Sequence, residues 1–318
     1  MFHFLSGHNK HYNAMSNNRR QFLSLSGKVA AGAFLLPQMA CTSKTTNPNT
    51  QNKTTDMANT GAPLAAFGIQ LYTLRDIIGD DPKGTLQQLA GFGYTQIEGY
   101  EGDQGIYWNM PHMDFKAYLT DLGMSMVSSH CDINTNFEEK AAQAAEAGLE
   151  YLLCPYLGAQ DSMDKWKLIA DQFNACGDIC KKNGIRFAYH NHDYSFKALD
   201  GVIPQDYLME NTNPDTVDYE LDLYWVVTGG ADPIAYLKKY PNRFRLSHVK
   251  DRAKDAKPDE THASVTLGTG SIDYPSILQV AKDNGMKYFI LEQERYDNTT
   301  PIKCAEDGAK YLSQLRLS

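Results

Sequence analysis

One unit recurs from residue 64 to the end of this chain and limits what it can fold into. An amphipathic helical stretch closes at a glycine, and a short apolar run follows within a few residues. Leu89–Gly93 leads into Thr95–Tyr100, Leu119–Gly123 into Met126–His130, and Ala144–Gly148 into Tyr151–Pro155. Lys181–Gly184 into Arg186–His190 and Lys282–Gly285 into Lys287–Glu292 repeat the pattern. A glycine suits each helix end because it adopts the left-handed cap conformation without steric cost. The runs are continuously apolar rather than alternating, as expected of strands covered on both faces. Eight strands are predicted: Phe67–Tyr72, Gln96–Tyr100, Met126–His130, Tyr151–Pro155, Arg186–His190, Val217–Leu223, Phe244–Val249 and Lys287–Glu292. The clearest helix is Asp164–Lys182, where Trp166, Ile169, Phe173, Cys176, Ile179 and Cys180 form one stripe. Residues 64–318 number 255, close to the ~250 of a (β/α)8 TIM barrel. The rival, a doubly wound sheet, carries a glycine-rich phosphate loop after its first strand, and Tyr72-Thr73-Leu74-Arg75 is nothing like one. The expected fold is α/β, a single (β/α)8 barrel over residues 64–318.

The preceding residues do not share this pattern. Asn18-Arg19-Arg20-Gln21-Phe22-Leu23 stands before an uncharged run, Val29–Met39, and then Ala40-Cys41. An arginine pair before a mild apolar stretch reads as a twin-arginine export signal over residues 1–41, with Met15 as an alternative start to Met1. Cys41 is a candidate lipidation site, although Gln38 fits poorly three positions before it. Residues 42–63 are rich in Thr, Asn, Ser and Lys and read as a flexible linker. The expected location is therefore outside the cytoplasm, periplasmic or held to a membrane as a lipoprotein. No apolar run reaches the ~18–20 residues of a membrane span.

Charge narrows the partners. Six of the 30 Lys and Arg but only one of the 38 Asp and Glu lie in residues 1–63, which leaves 24 basic and 37 acidic residues, a net of −13, for the rest. A surface that acidic repels phosphate backbones, so nucleic acid is not an expected partner. Past Cys41 the cysteines are Cys131, Cys154, Cys176, Cys180 and Cys304, an odd number with no CxxC, and buried free thiols are expected.

In a barrel of this kind the active site lies at the C-terminal strand ends. Those ends read Tyr72, Glu98, His130, Pro155-Tyr156, His190, Asp222, His248 and Glu292. Several ionisable groups aimed into one mouth are costly to bury without a cation. His190, Asp222, His248 and Glu292, on strands five to eight, make a ligand set of two imidazoles and two carboxylates. That set suits one Mn²⁺, Co²⁺ or Zn²⁺ ion better than Mg²⁺. Glu98, on the opposite wall, is the candidate general base, with an ion pair to Arg75 as its alternative role. His192 is a candidate proton shuttle, and Lys250 a candidate for substrate oxygens or for support of the ligands. His130 is a candidate substrate donor, and Gln293, beside Glu292, a candidate substrate contact. Tyr72, Trp108, Tyr156, Tyr224 and Trp225 supply flat surfaces suited to a sugar ring.

At these residues the chain resembles the sugar phosphate isomerase/epimerase superfamily, the xylose isomerase-like barrels. The segments that carry the resemblance are Gly68–Asp76, Tyr189-His190-Asn191-His192-Asp193, Asp222-Leu223-Tyr224-Trp225-Val226, Ser247-His248-Val249-Lys250-Asp251, Gly268-Thr269-Gly270-Ser271-Ile272-Asp273 and Leu291-Glu292-Gln293-Glu294. The resemblance implies one divalent metal and metal roles for Asp222, His248 and Glu292. Many epimerases of that superfamily carry a glutamate on strand five, which pairs with the strand-eight glutamate across the substrate. This chain has His190 there, so two-base epimerisation by that pair is not expected.

The function expected is thus a divalent-metal-dependent isomerase or epimerase acting on a sugar or keto-sugar through an enediolate. The alternatives are a lyase or hydratase acting on 3-keto-glycosides by elimination, and a non-catalytic sugar-binding barrel. Export argues for an unphosphorylated carbohydrate. Oligomeric state is not legible. The export reading has a direct test: Arg19→Lys with Arg20→Lys should leave the protein in the cytoplasm, and a double variant still found outside after fractionation would exclude the twin-arginine route.

Overall fold

The computed structural model describes residues 61–258 and 260–317. The export signal, most of the linker and Cys41 lie outside the described residues. Eight parallel strands close into a barrel, and we number them in chain order: β1 (Gly68–Gln70), β2 (Gln96–Tyr100), β3 (Ser125–His130), β4 (Tyr151–Cys154), β5 (Arg186–His190), β6 (Val217–Asp222), β7 (Phe244–Val249) and β8 (Tyr288–Leu291). Each pairs with its sequence neighbours, and β8 closes on β1 through Ile290↔Gly68 and Leu291↔Ile69. The helices are α1 (Pro82–Phe92), α2 (His112–Asp121), α3 (Phe137–Ala147), α4 (Met163–Lys182), α5 (Pro204–Asn211), α6 (Leu223–Thr228), α7 (Pro233–Lys239), α8 (Tyr274–Asp283) and α9 (Pro301–Gln314). The predicted glycine caps hold: Gly93 and Gly148 end α1 and α3 at φ 99° and 89°.

Two expectations change at the edges. The first strand stops at Gln70, not Tyr72. The Gln70 side chain accepts the Tyr72 backbone N–H and so starts a 3-10 turn, Leu71–Leu74. Residues 62–63, assigned by sequence to the linker, pair antiparallel with Arg316–Leu317.

The core has two parts. The larger apolar cluster runs from the outward strand faces to the helices, with Phe173 of α4 meeting Phe187 and Tyr189 of β5 and Trp166 of α4 meeting Tyr194 just after β5. The smaller one comprises Val127, Tyr151, Leu153, Ala188, Leu246, Tyr288 and Ile290. Strand side chains alternate faces, so residues two apart share one. Ala188, Leu246 and Ile290 therefore form an apolar floor one step beneath His190, His248 and Glu292. The five described cysteines are buried free thiols.

Trp166 is 1% exposed and sits between α4 and the barrel. Trp166→Ala should lower stability by about 3–5 kcal/mol through lost burial and the cavity left behind. Urea denaturation would show this as a lower midpoint at unchanged slope. A loss below about 1 kcal/mol would mean that the helix repacks around the gap.

Candidate metal centre

The strand-end residues of β5 to β8 converge. One ligand atom each from His190, Asp222, His248 and Glu292 lies within 4.8 Å of the others, and all four residues are buried. His190 Nε2 stands 3.2 Å from Asp222 Oδ2. His248 Nδ1 is 3.5 Å from the same oxygen and 3.1 Å from Glu292 Oε2.

Each ring is held from its far side. His190 Nδ1 lies 3.0 Å from the Pro155 carbonyl, which can only accept, so Nδ1 carries a proton and Nε2 is the nitrogen turned to the cluster. His248 Nε2 lies 2.7 Å from Glu98 Oε1, which fixes Nδ1 as the nitrogen turned to Asp222 and Glu292. A buried carbonyl or carboxylate behind a ligating imidazole sets its tautomer and aim. Asp222 is fixed as well. Its Oδ1 accepts the Trp225 backbone N–H and caps α6. The Asn191 amide clamps the Asp222 backbone at both its N–H and its carbonyl, so Asn191 ties the ends of β5 and β6 together.

The electrostatics follow from crowding. Burial alone would push the carboxyl groups of Asp222 and Glu292 upward, but Lys250, with His190 and His248, holds both below the ordinary carboxylate range. Burial opposes a proton on His248, and Glu220 and Glu292 outweigh it and raise its pKa well above the ordinary value.

Glu98 does not occupy the place expected of a general base. It is fully buried, and its oxygens accept from Gln70 Nε2 at 2.8 Å, Ser128 Oγ at 2.6 Å and His248 Nε2 at 2.7 Å. Burial raises its pKa, but His130 and His248 bring it down to about 2. A carboxylate already committed to three donors is a poor proton acceptor. The expected alternative, a pair with Arg75, is absent too: Arg75 donates to the Tyr72 and Glu294 carbonyls and the Tyr296 hydroxyl.

His192 is differently placed. Its ring stacks on Trp225 and on Tyr194, meets His190 edge-on at a 4.8 Å centroid separation, and leaves Nδ1 buried without a partner. Burial, and then His190, pull its pKa well below the ordinary value, so the ring is neutral. Lys250 is buried against Tyr224 and Trp225 with its ammonium on Glu292 and Glu294. Burial lowers its pKa, but Glu292 and Glu294 more than compensate and raise it, so Lys250 is a fixed cation and not a base.

The expected substrate contacts divide. Tyr72 is 38% exposed beside Tyr100, with Arg75 over its ring. Tyr156 is 62% exposed and meets His192 edge-on. His130 instead lies among the buried groups, 2.9 Å from Glu220 Oε2 and stacked on His248. Gln293 is also buried, its amide donating to the Arg295 carbonyl, so it braces the loop after β8. Asp251 anchors the glycine-rich segment, accepting the backbone N–H groups of Gly268, Gly270 and Ile272.

Sequence reasoning missed Glu220. It stands two residues before Asp222 on the same face, a position that Ala188, Leu246 and Ile290 fill on β5, β7 and β8, while its register partners are His190 and Leu246. A glutamate where the other three strands carry an apolar residue was the available signal. Burial, and then Glu98, push its carboxyl pKa well above the ordinary value. The register of β2 on β3 shifts at Ile97/Glu98, and that of β6 on β7 at Tyr219/Glu220. Such irregularities re-aim side chains, and both precede a buried glutamate.

Comparison with known proteins agrees with this architecture. The sequence profile described as "Xylose isomerase-like TIM barrel" matches residues 86–315. Among curated proteins, the inosose dehydratase of Clostridium perfringens is 28% identical over 165 residues, covering 48% of this chain and 55% of that one. The chain thus spans about half the length of the curated relatives it matches. A sugar phosphate isomerase/epimerase from Parabacteroides distasonis superposes with a TM-score of 0.67 at 31% identity, covering 78% of this chain and 93% of that one. The IOLI protein, solved with a bound zinc atom, shares the fold with a TM-score of 0.68 at 16% identity, over 80% of this chain and 99% of that one.

Asp222→Asn separates ligation from folding. An Asn side chain still caps α6, so the circular dichroism spectrum should be unchanged. Affinity for Mn²⁺ or Zn²⁺ should fall by at least ~10–100-fold, the range found for changes merely behind a ligand. Undiminished affinity by calorimetry would remove Asp222 from the ligand set.

Proposed function

The chain belongs to the xylose isomerase-like TIM barrels, and we propose that its mouth binds one divalent cation and moves a proton next to the carbonyl of an unphosphorylated sugar. The observation that carries this is the His190–Asp222–His248–Glu292 set, in which both imidazoles are aimed from behind by a buried acceptor. The residues fit such an ion: two nitrogens, two carboxylates, contacts of 3.1–3.5 Å between adjacent ligand atoms, and a fixed ammonium beside them. A cation there polarises a carbonyl and lowers the pKa of the neighbouring C–H.

The chain supplies the rest. His192 is the proposed base, because its Nδ1 is unpartnered and its ring abuts His190 and the exposed Tyr156. Lys250 holds Glu292 in place and keeps a positive charge beside the developing enediolate. Tyr72 and Tyr156 offer faces to the apolar side of a sugar ring. With His190 in the ligand set and Glu98 held beneath His248, no second base stands opposite among the described residues. One-base isomerisation is therefore favoured over two-base epimerisation. The matched dehydratases favour a second reading, in which the same enediolate expels a β-hydroxyl and the enzyme is a lyase. The amino-terminal signal read from the sequence supports action outside the cytoplasm.

The test is a panel of keto-sugars and 3-keto-glycosides incubated in D₂O and followed by NMR. Exchange of an α-proton is expected, and the product tells isomer from dehydration. His192→Gln should keep the metal and lower kcat by ~10²–10⁴, with exchange falling in parallel. Exchange at the wild-type rate in that variant would dismiss His192 as the base.

A further inference from the structure

Beneath the mouth lies a second set of ligand-type atoms that the proposed reaction does not use. Glu98, His130, Glu220 and His248 each place one atom within 4.8 Å of the others, all buried. Glu98 Oε1 is 2.7 Å from His248 Nε2 and 3.3 Å from His130 Nε2. Glu220 Oε2 is 2.9 Å from His130 Nε2 and 3.2 Å from His248 Nε2. Two nitrogens and two oxygens thus form a closed ring with each nitrogen beside both oxygens. A tetrahedral ion with bonds of about 2.0–2.1 Å would hold its ligands about 3.3–3.4 Å apart, and this ring is already close to that size.

Hydrogen bonds alone serve the ring poorly. Each imidazole can present one N–H at Nε2, so two protons face four nitrogen–oxygen contacts. Glu220 Oε1 is buried and has no partner. The ion pairs of Glu98 and Glu220 among the described residues are with histidines, and Lys250 is taken up by Glu292 and Glu294. Two adjacent carboxylates sealed from water are costly. A divalent ion at the centre meets all four contacts at once and neutralises both carboxylates.

We propose that Glu98, His130, Glu220 and His248 Nε2 form a second divalent-cation site under the mouth, with His248 bridging the two ions. His248 Nδ1 then faces the mouth ion and Nε2 the deeper one, so the ring gives up both of its N–H protons to solvent and bridges as an imidazolate. The mixed nitrogen and oxygen set suits Zn²⁺, Co²⁺ or Mn²⁺. Gln70 and Ser128, which donate to Glu98, orient that ligand from behind. The site shares only His248 with the mouth and does not depend on which reaction the mouth performs.

Two measurements on the full chain test it. Protein equilibrated with excess Zn²⁺ and then freed of unbound metal should carry two ions per chain by mass spectrometry, and Glu220→Gln should carry one. Crystals grown with Zn²⁺ should show two anomalous peaks at the zinc edge, one on each side of the His248 ring, and this arm needs no variant to fold. A single peak at the mouth with one ion per chain overturns the second site and leaves the proposed function standing. A single peak beneath His248 supports the second site and overturns the mouth reading. No bound zinc overturns both, and two ions retained in Glu220→Gln removes Glu220 from the ligands.

Discussion

One imidazole ring, His248, touches four carboxylates: Glu98 and Glu220 through Nε2, Asp222 and Glu292 through Nδ1. All five side chains are sealed from bulk water. Like charges in that setting repel strongly, and each carboxylate loses hydration that only a cation, a proton or an aimed donor can replace. Much of the mouth answers this constraint. Lys250 places its charge on Glu292 and Glu294, Gln70 and Ser128 donate to Glu98, and the Trp225 backbone N–H donates to Asp222.

The barrel makes such a cluster possible. Eight strand ends meet in a small circle, and the closed sheet leaves no edge through which water would reach the floor. The floor is apolar under three of the four mouth residues and acidic under Asp222. That one exception gives His248 a second pair of partners and stacks two layers of ligand-type side chains. The supports lie outside the layers: Asn191 binds β5 to β6, and Asp251 ties the glycine-rich segment Gly268–Ile272 to the end of β7. These are backbone contacts, so they fix the directions of the strand ends without competing for a ligand atom.

The closed barrel with its helices and family membership establishes the class of protein, and the chemistry narrows from there. The strand-five position carries His190 and the opposite wall carries a buried Glu98, so the layout favours one proton-moving group on the β5 side. His192, stacked between Trp225 and Tyr194, meets that description. In the proposed reaction, isomerisation and elimination share this first step, and the group that stands β to the carbanion decides between them.

The strand count, the glycine-capped helices and the residues at the strand ends were legible in the sequence alone. They are local properties: strand burial shows as an apolar run, a helix end shows as a glycine, and a functional strand end shows as a charge breaking an apolar run. Gln70 was misread as strand interior because its side chain caps the following turn, a contact invisible to periodicity. The contact of Glu98 with His248 was not legible because the two lie 150 residues apart. Glu220 was passed over because its meaning depends on Ala188, Leu246 and Ile290 of other strands. The sequence by itself determined that His190, Asp222, His248 and Glu292 would stand at one end of the barrel. Only barrel closure, with the register shifts before Glu98 and Glu220, decided which buried groups come within reach of one another, because that depends on distances between strands and not along them.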